Sequence, residues 1–424
     1  MDKKKTKKPT ITVAVNTDNE EKNMKILIPN ATSPKNIGDL AILTGLVSLL
    51  GKNNKIKIHS TEPQLYDRAF DKFKVSHTLY SWAVFKNRDV ISRVKNIGEL
   101  LINYCLLKFG FNTPKIGKSS LILEDYLNAD VILFVGGGYL RSQKGIKQSL
   151  NLLMTLLHFH IAKKTKAKKI VAPISFGPFA YKWQEKYAAG VLKEFDIVAT
   201  RERYSYNLLK KYKFANLISS SDSSFFLNVK NRKKTLIRRR VILGFTIRKW
   251  LREELQKNFE AEVTDAIAMF AKTTGVQIQP IVQVDAPKYG ENDASLTKKI
   301  AISLKEKGLK VLPIKKIVDL KSAFKVYGEL DLLLGMRMHS NILAAVQGTP
   351  FVAISYEHKT EGITRQLVME KYCVKCEKVN KENLYKLLVD AYANKVDLKN
   401  KLISSVKAIQ INETQKWNKF LSQN

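Results

Sequence analysis

Acidic residues are scarce beside basic ones: 38 Asp and Glu stand against 73 Lys and Arg, a formal net charge of +35 over 424 residues. Such an imbalance points to an anionic partner, whether nucleic acid, an acidic membrane surface or an anionic substrate. Cysteine is nearly absent. Cys105, Cys373 and Cys376 form no disulfide framework and suit a reducing cytosol. Cys373-x-x-Cys376 is a lone pair of soft ligands with no second Cys or His pair nearby, which argues against zinc. His158 and His160, two apart on a predicted helix, do not share a face for one metal. Long apolar runs are also missing: the best, Leu40 to Leu50, is broken by Thr44 and Ser48 and is too short to cross a bilayer. The basic start MDKKKTKK leads into ITVAVNTDNEE, too short and polar for a signal sequence. The expectation is a cytoplasmic protein, at most peripheral at the inner membrane face.

What is present is globular. The 45% hydrophobic content supplies apolar material for more than one core, and the length exceeds one ordinary domain. Residues 1–23 read as a disordered basic tail. Residues 24–229 read as a first α/β domain, with strands at Met24–Ile28, Lys55–His59, Asp130–Val135, Lys169–Ile174 and Ile197–Ala199. The basic run KNRKKTLIRRR at 230–240 reads as a linker. It lacks the aromatic interleaving of a nucleic-acid surface, and nucleic acid is not expected as a partner. Residues 241–370 alternate again, with strands at Val241–Ile247, Gln277–Ile281, Leu309–Leu312, Leu332–Leu334 and Phe351–Ile354. Helices near 380–393 and 397–420 complete a C-terminal segment spanning 371–424. Two consecutive β/α arrays imply an α/β protein of two Rossmann-like, doubly wound domains facing a cleft.

Residues 62–120 are less legible. Val90–Leu107 is apolar at helical spacing, with Arg93, Lys95 and Lys108 around it. It suits a helix packed on the sheet with its cations in water, or an amphipathic helix on an anionic membrane.

Polar clusters fall where strands end. In open α/β sheets, ligands bind in the crevice outside the carboxyl ends of strands. The stretch Asp331–Gly362 reads as strand, helix, strand, with Arg337, Met338 and His339 at the first turn and Glu357, His358 and Lys359 after the second strand. Free N–H groups at a helix start favour an anion there. Gly136, Gly137 and Gly138 follow another strand and can bare backbone N–H groups to a ligand. No Gly-Lys-Ser/Thr follows at Walker spacing. Asn36, Gly38 and Asp39 open the first helix, with Gly38 permitting a close approach and Asp39 able to cap.

Taken together, Asn36-Ile37-Gly38-Asp39, Gly136-Gly137-Gly138, Arg201-Glu202, Asp222, Ile247-Arg248, Gly335-x-Arg337-x-His339-Ser340, Gly348-x-Pro350 and Tyr356-x-x-Lys359 resemble the polysaccharide pyruvyl transferases, in order, over residues 24 to 370. The resemblance implies a glycosyltransferase-B-like fold. It also implies transfer of the enolpyruvyl unit of phosphoenolpyruvate onto two hydroxyls of a sugar, in a cell-surface polysaccharide or a lipid-linked precursor. Arg201, Arg337 and His339 match positions that contact phosphoenolpyruvate in that family, and Met338 would offer its backbone N–H. The donor is a substrate, and no cofactor or metal is called for.

The chemistry suits these residues. A carboxylate and a phosphate on one small frame call for guanidinium forks and N–H donors. Ketal formation calls for an acid, a base and anion stabilisation. His339 is the candidate acid or base, with Arg337 beside it; the blander role for His339 is hydrogen bonding to phosphate or capping. Arg201 could instead pair with Glu202 or Asp222, and Asp39 and Asp222 could be simple cap and turn residues. Arg248 and Lys359 are candidates for an anionic carrier on the acceptor, or for the rim alone. Glu357 and His358 are weaker candidates. A nucleotide-sugar glycosyltransferase of the same architecture is the alternative enzyme.

Overall fold

The computed structural model describes residues 23–227 and 240–422, apart from 52, 67–69, 71–72, 80, 82–88, 110–116, 118 and 287–290. All but the last residue of the expected tail and of the expected linker lie outside the described residues. The first domain runs β1 (Lys25–Ala31), α1 (Ile37–Leu49), β2 (Lys55–Ser60), β3 (Lys74–His77), α2 (Val90–Lys108), α3 (Ser119–Leu127), β4 (Val131–Phe134), β5 (Gly137–Leu140), α4 (Ile146–Ala162), β6 (Lys168–Phe176), α5 (Lys182–Leu192), β7 (Ile197–Thr200), α6 (Arg203–Lys210) and β8 (Leu217–Ser219). Its strands are parallel in the order β3-β2-β1-β4-β6-β7-β8, with β5 added beside β6.

The second domain runs β9 (Ile242–Thr246), α7 (Glu253–Thr274), β10 (Gln277–Val282), a two-stranded ribbon of β11 (Asp285–Ala286) and β12 (Glu291–Asn292), α8 (Ala294–Glu306), β13 (Lys315–Lys316), α9 (Leu320–Gly328), β14 (Leu332–Gly335), α10 (Met338–Gln347), β15 (Phe351–Ser355), α11 (His358–Gln366) and β16 (Cys373–Lys375); α12 (Lys381–Ala393) and α13 (Lys395–Ser422) follow. Its main sheet is parallel in the order β13-β10-β9-β14-β15-β16. The strand order reverses at β1 in one sheet and at β9 in the other. The crevices at these switch points face each other, and the site lies between them.

Three expectations need correction. Leu309–Leu312 is not a strand: Val311 makes one isolated bridge to Ile278, and Lys315–Lys316 supplies the edge pairing instead. The sheet continues past residue 370, because Cys373–Lys375 pairs with β15. The glycine triplet is more than a loop at a strand end, since Gly137 begins β5.

Packing explains how the domains are held. α1 is apolar around its whole circumference and almost entirely buried, as a helix covered on all sides must be. One side lies on the first sheet and another meets the turn Ser223–Phe226 and α10 of the second domain. Gly45 is required there: a Cβ would fall 1.8 Å from the carbonyl oxygen of Ser223. The apolar core therefore continues from Leu43 and Leu46 into Ile342 and Leu343 of the second domain. α13 returns to the first domain, where Gln410 Nε2 donates to Phe225 O at 2.6 Å and Ser220 Oγ bonds Glu413.

Candidate active site

Each domain presents one arginine from a strand end, and each arginine is fixed by a buried aspartate of its own domain. Arg201 follows β7. Its Nε donates to Ser175 Oγ and its Nη1 to Asp222 Oδ2, both at 2.8 Å. Arg337 follows β14 and is the residue before α10. Its Nη2 donates to Asp293 Oδ1 at 2.6 Å and its Nε to Asp293 Oδ2 at 3.1 Å. Both arginines are buried. A charge removed from water is tolerated only when paired and hydrogen-bonded, and these pairs meet that condition.

The two aspartates respond differently to burial. At Asp222, burial raises the carboxyl, but the nearby His339 and the Arg201 charge outweigh it and hold the group well below the usual carboxylate range. Ser224 helps by donating its backbone N–H at 2.9 Å and its hydroxyl at 2.5 Å. At Asp293, burial wins and the carboxyl is raised despite Arg337.

His339 belongs to the second domain, yet its Nε2 lies 3.6 Å from Asp222 Oδ2 of the first. Its other ring face is set by Gly38, where a Cβ would sit 2.3 Å from His339 Nδ1. The close approach expected of Gly38 is thus to a histidine across the domain boundary. Asn36 caps α1 by accepting from Gly38 N at 3.1 Å, and Asp39 Oδ2 accepts from Thr32 Oγ1 at 2.8 Å and Asn36 Nδ2 at 3.0 Å. Asn36 also bridges Val284 of the second domain.

The glycines serve close packing as much as exposure. A Cβ at Gly136 would lie 2.3 Å from Pro173 O, Gly137 has φ +134°, and a Cβ at Gly138 would lie 3.5 Å from Arg201 Nη2. At the rim, the Arg248 guanidinium lies 5.1 Å from the Trp250 ring centroid and 4.9 Å from that of Tyr356. Lys359 pairs with Glu357, which also accepts from Arg141 of the first domain at 2.9 Å.

The cleft is lined by Asn36, Asp39, Gly136, Gly137, Gly138, Arg201, Arg248, Arg337, Met338, His339 and Lys359, whereas the weaker candidates Glu357 and His358 lie outside its lining. The structure adds Asn30, Arg141, Gln283 and Tyr356, with Asp222 and Asp293 behind the arginines. Asn30 Oδ1 accepts from Val135 N at 2.8 Å and so ties the end of β1 to the glycine turn. His358 is placed differently: its Nε2 lies 3.5 Å from Glu202 and its ring, tilted 30°, lies 4.0 Å from that of Tyr204, so it joins the domains beside the cleft. Cys373 lies on β16, Cys376 is buried, and among the described residues no cluster of His, Cys, Asp and Glu could hold a metal ion.

Solved structures share the architecture. A protein provisionally assigned as a UDP-N-acetylglucosamine 2-epimerase of Listeria monocytogenes aligns with a TM-score of 0.56 at 12% identity, covering 94% of this chain and 95% of that one. MnaA of Staphylococcus aureus, solved with UDP, aligns with a TM-score of 0.53 at 11% identity, covering 89% and 90%. At such identities the likeness shows the fold alone, which is glycosyltransferase-B-like. In sequence, the chain is 24% identical over 368 residues to the amylovoran biosynthesis protein AmsJ of Erwinia amylovora, covering 81% of this chain and 86% of that protein. The profile of the polysaccharide pyruvyl transferases matches residues 36–358, from the cap of α1 through the last polar cluster of the cleft, and the chain belongs to that family.

Proposed function

We propose that the protein uses phosphoenolpyruvate as donor and builds a pyruvate ketal across two hydroxyls of one sugar, in a polysaccharide or a lipid-linked precursor. The observation that carries this reading is the convergence of Arg201 from the first domain with Arg337 and His339 from the second on one cleft. Guanidinium forks fixed by buried carboxylates suit a carboxylate and a phosphate held at a set spacing. The start of α10 and the glycine turn add N–H donors and a favourable dipole.

The steps balance as follows. A proton adds to the methylene carbon of phosphoenolpyruvate, and positive charge develops at C2. One sugar hydroxyl adds there and the C2–O bond to phosphate breaks; the second hydroxyl then closes the ketal. Of the two hydroxyl protons released, one replaces the proton taken up by carbon and the other leaves with phosphate. His339 is assigned the proton transfers, with Asp222 orienting its ring. Arg201 and Arg337 stabilise the departing phosphate and hold the carboxylate. Arg248 and Lys359 are assigned to the acceptor side of the rim.

The test is incubation of the purified protein with phosphoenolpyruvate and a panel of β-linked glycans, following phosphate release and the mass of the acceptor. Release coupled to a ketal mass gain is expected. Absence of release across the panel, together with no phosphoenolpyruvate binding by calorimetry, would sink the reading. Turnover of a nucleotide sugar in its place would establish the alternative glycosyltransferase.

A further inference from the structure

We propose that the outer face of the first domain formed by α2, α4 and α5 docks on an anionic lipid bilayer. These helices pack their inner sides on one face of the sheet, through Leu100, Leu156 and Leu192 among others. Their outer sides leave large apolar side chains in water. Ile91 and Ile146 are each 82% exposed, and Ile102, Leu150 and Trp183 are half exposed or more. A single such residue means nothing, but a succession along neighbouring helices marks an interaction surface.

Charge selects the partner. Arg93, Lys95, Lys108, Lys147, Lys182 and Lys186 lie on the three helices against Glu99 and Glu185, six basic residues to two acidic. A second copy of the chain would bring the same positive field to the contact and be repelled. An acidic headgroup layer complements it, and the apolar side chains then enter the acyl boundary. Among the described residues no helix is long and apolar enough to cross a membrane, so the contact is one of lying on the surface.

The face is also well placed. α4 and α5 begin at the carboxyl ends of β5 and β6, the same end of the sheet as the glycine turn. Arg141 lines the cleft, and Ser142 Oγ donates to Gln184 Oε1 at 2.5 Å, joining the approach to α4 to the first turn of α5. Ile146 and Trp183 therefore lie in the first turns of α4 and α5, at the end of the sheet where the cleft opens. An acceptor held at a bilayer surface would meet the site from this side; that last point rests on the proposed acceptor class, whereas the docking does not.

Flotation of the full chain with vesicles tests the docking without reference to catalysis. Recovery is expected with phosphatidylcholine–phosphatidylglycerol vesicles and little with phosphatidylcholine alone, with loss as salt rises. Ile146→Asp with Leu150→Asp should lower partitioning about tenfold or more, and Lys147→Glu with Lys182→Glu should lower it in a salt-dependent way. Trp183 emission should shift to the blue on binding, and Trp183→Phe should remove that shift. All are surface positions, so circular dichroism should be unchanged. The proposal is overturned by no recovery on acidic vesicles, by recovery insensitive to both double variants, or by variants that only dissociate a dimer in light scattering.

Discussion

Asp222 Oδ2 and His339 Nε2 face each other at 3.6 Å across the domain boundary, with Arg201 bonded to the same carboxylate oxygen. Because Asp222 is held ionised, the pair can orient the imidazole only while the domains are closed together. Asp222→Asn keeps the shape and removes the charge. Turnover should fall about 100-fold, in the range general acid–base groups contribute, and stability should fall by about 1–3 kcal/mol because Arg201 loses the closer of its two buried counter-charges and keeps Glu202 at 3.8 Å. His339→Gln should lose the turnover and keep the stability. Steady-state kinetics and urea unfolding on both variants separate the two effects; unchanged turnover in His339→Gln would remove the histidine from the chemistry.

Arg337 and Asp293 form a buried pair whose members can be separated by experiment. Arg337→Ala strands Asp293, already raised by burial, and should destabilise by about 3 kcal/mol. Adding Asp293→Asn to Arg337→Ala should recover most of that stability and none of the phosphoenolpyruvate binding. Calorimetry and thermal unfolding give the answer directly. Donor binding that returned with the fold would mean that Arg337 serves structure alone.

Gly38 is tested by one methyl group. Its Cβ would lie 2.3 Å from His339 Nδ1, so Gly38→Ala must push the imidazole away from Asp222. A misplacement of about 1 Å can cost on the order of 100-fold in rate. Turnover should drop at least tenfold, with the melting temperature nearly unchanged, since side-chain movement into the cleft relieves the clash. Equal turnover would show that the ring position is immaterial.

These partners mark where the sequence stops being informative. Apolar runs such as Leu332–Leu334 and Phe351–Ile354 read correctly as buried parallel strands because burial on both faces demands continuous hydrophobicity. Leu309–Leu312 has the same look, but its Lys310 and the position of Pro313 beside the edge leave it one bridge. Arg337 and His339 were visible because polar residues directly after such runs lie at the crevice, and Arg201 because it matches the family resemblance. Asp222 was legible as a turn residue, as a partner for Arg201 and as part of the family resemblance, whereas Asp293 was not singled out. Its pairing spans 44 residues and leaves no local pattern. Only its position before α8, at a helix start beyond a strand, hinted at a site.

A pH prediction follows from buried histidines away from the cleft. Burial pushes the His158 imidazole down to about 3, with Tyr126 at 2.8 Å on Nδ1. His59 is also lowered by burial, against the pull of Asp125. A folded-state value below the unfolded one means that the unfolded chain takes up the proton first. Stability is then intact above pH ~6.5 and falls below it, for His158 down to about pH 3 by up to about 1.4 kcal/mol per pH unit, with His59 acting in the same direction. Urea unfolding at pH 7 and pH 5 should differ accordingly, and His158→Gln should remove about 2 kcal/mol of the difference. An unaltered difference in the variant would place the acid sensitivity elsewhere.

Arg248 separates donor from acceptor. Its guanidinium packs against Trp250 and Tyr356, whose rings touch each other with centroids 4.7 Å apart, and Nη1 donates to the Tyr356 hydroxyl at 3.2 Å. A guanidinium can lie against the ring pair while one Nη donates to the hydroxyl; an ammonium cannot reproduce that geometry. If the rim receives the acceptor, Arg248→Lys should raise the acceptor KM about tenfold and leave the phosphoenolpyruvate KM within about twofold. The reverse pattern would move Arg248 into the donor site beside Arg337. Charge at the rim then acts on donor binding too, so the KM for each substrate must be measured with the other at saturation.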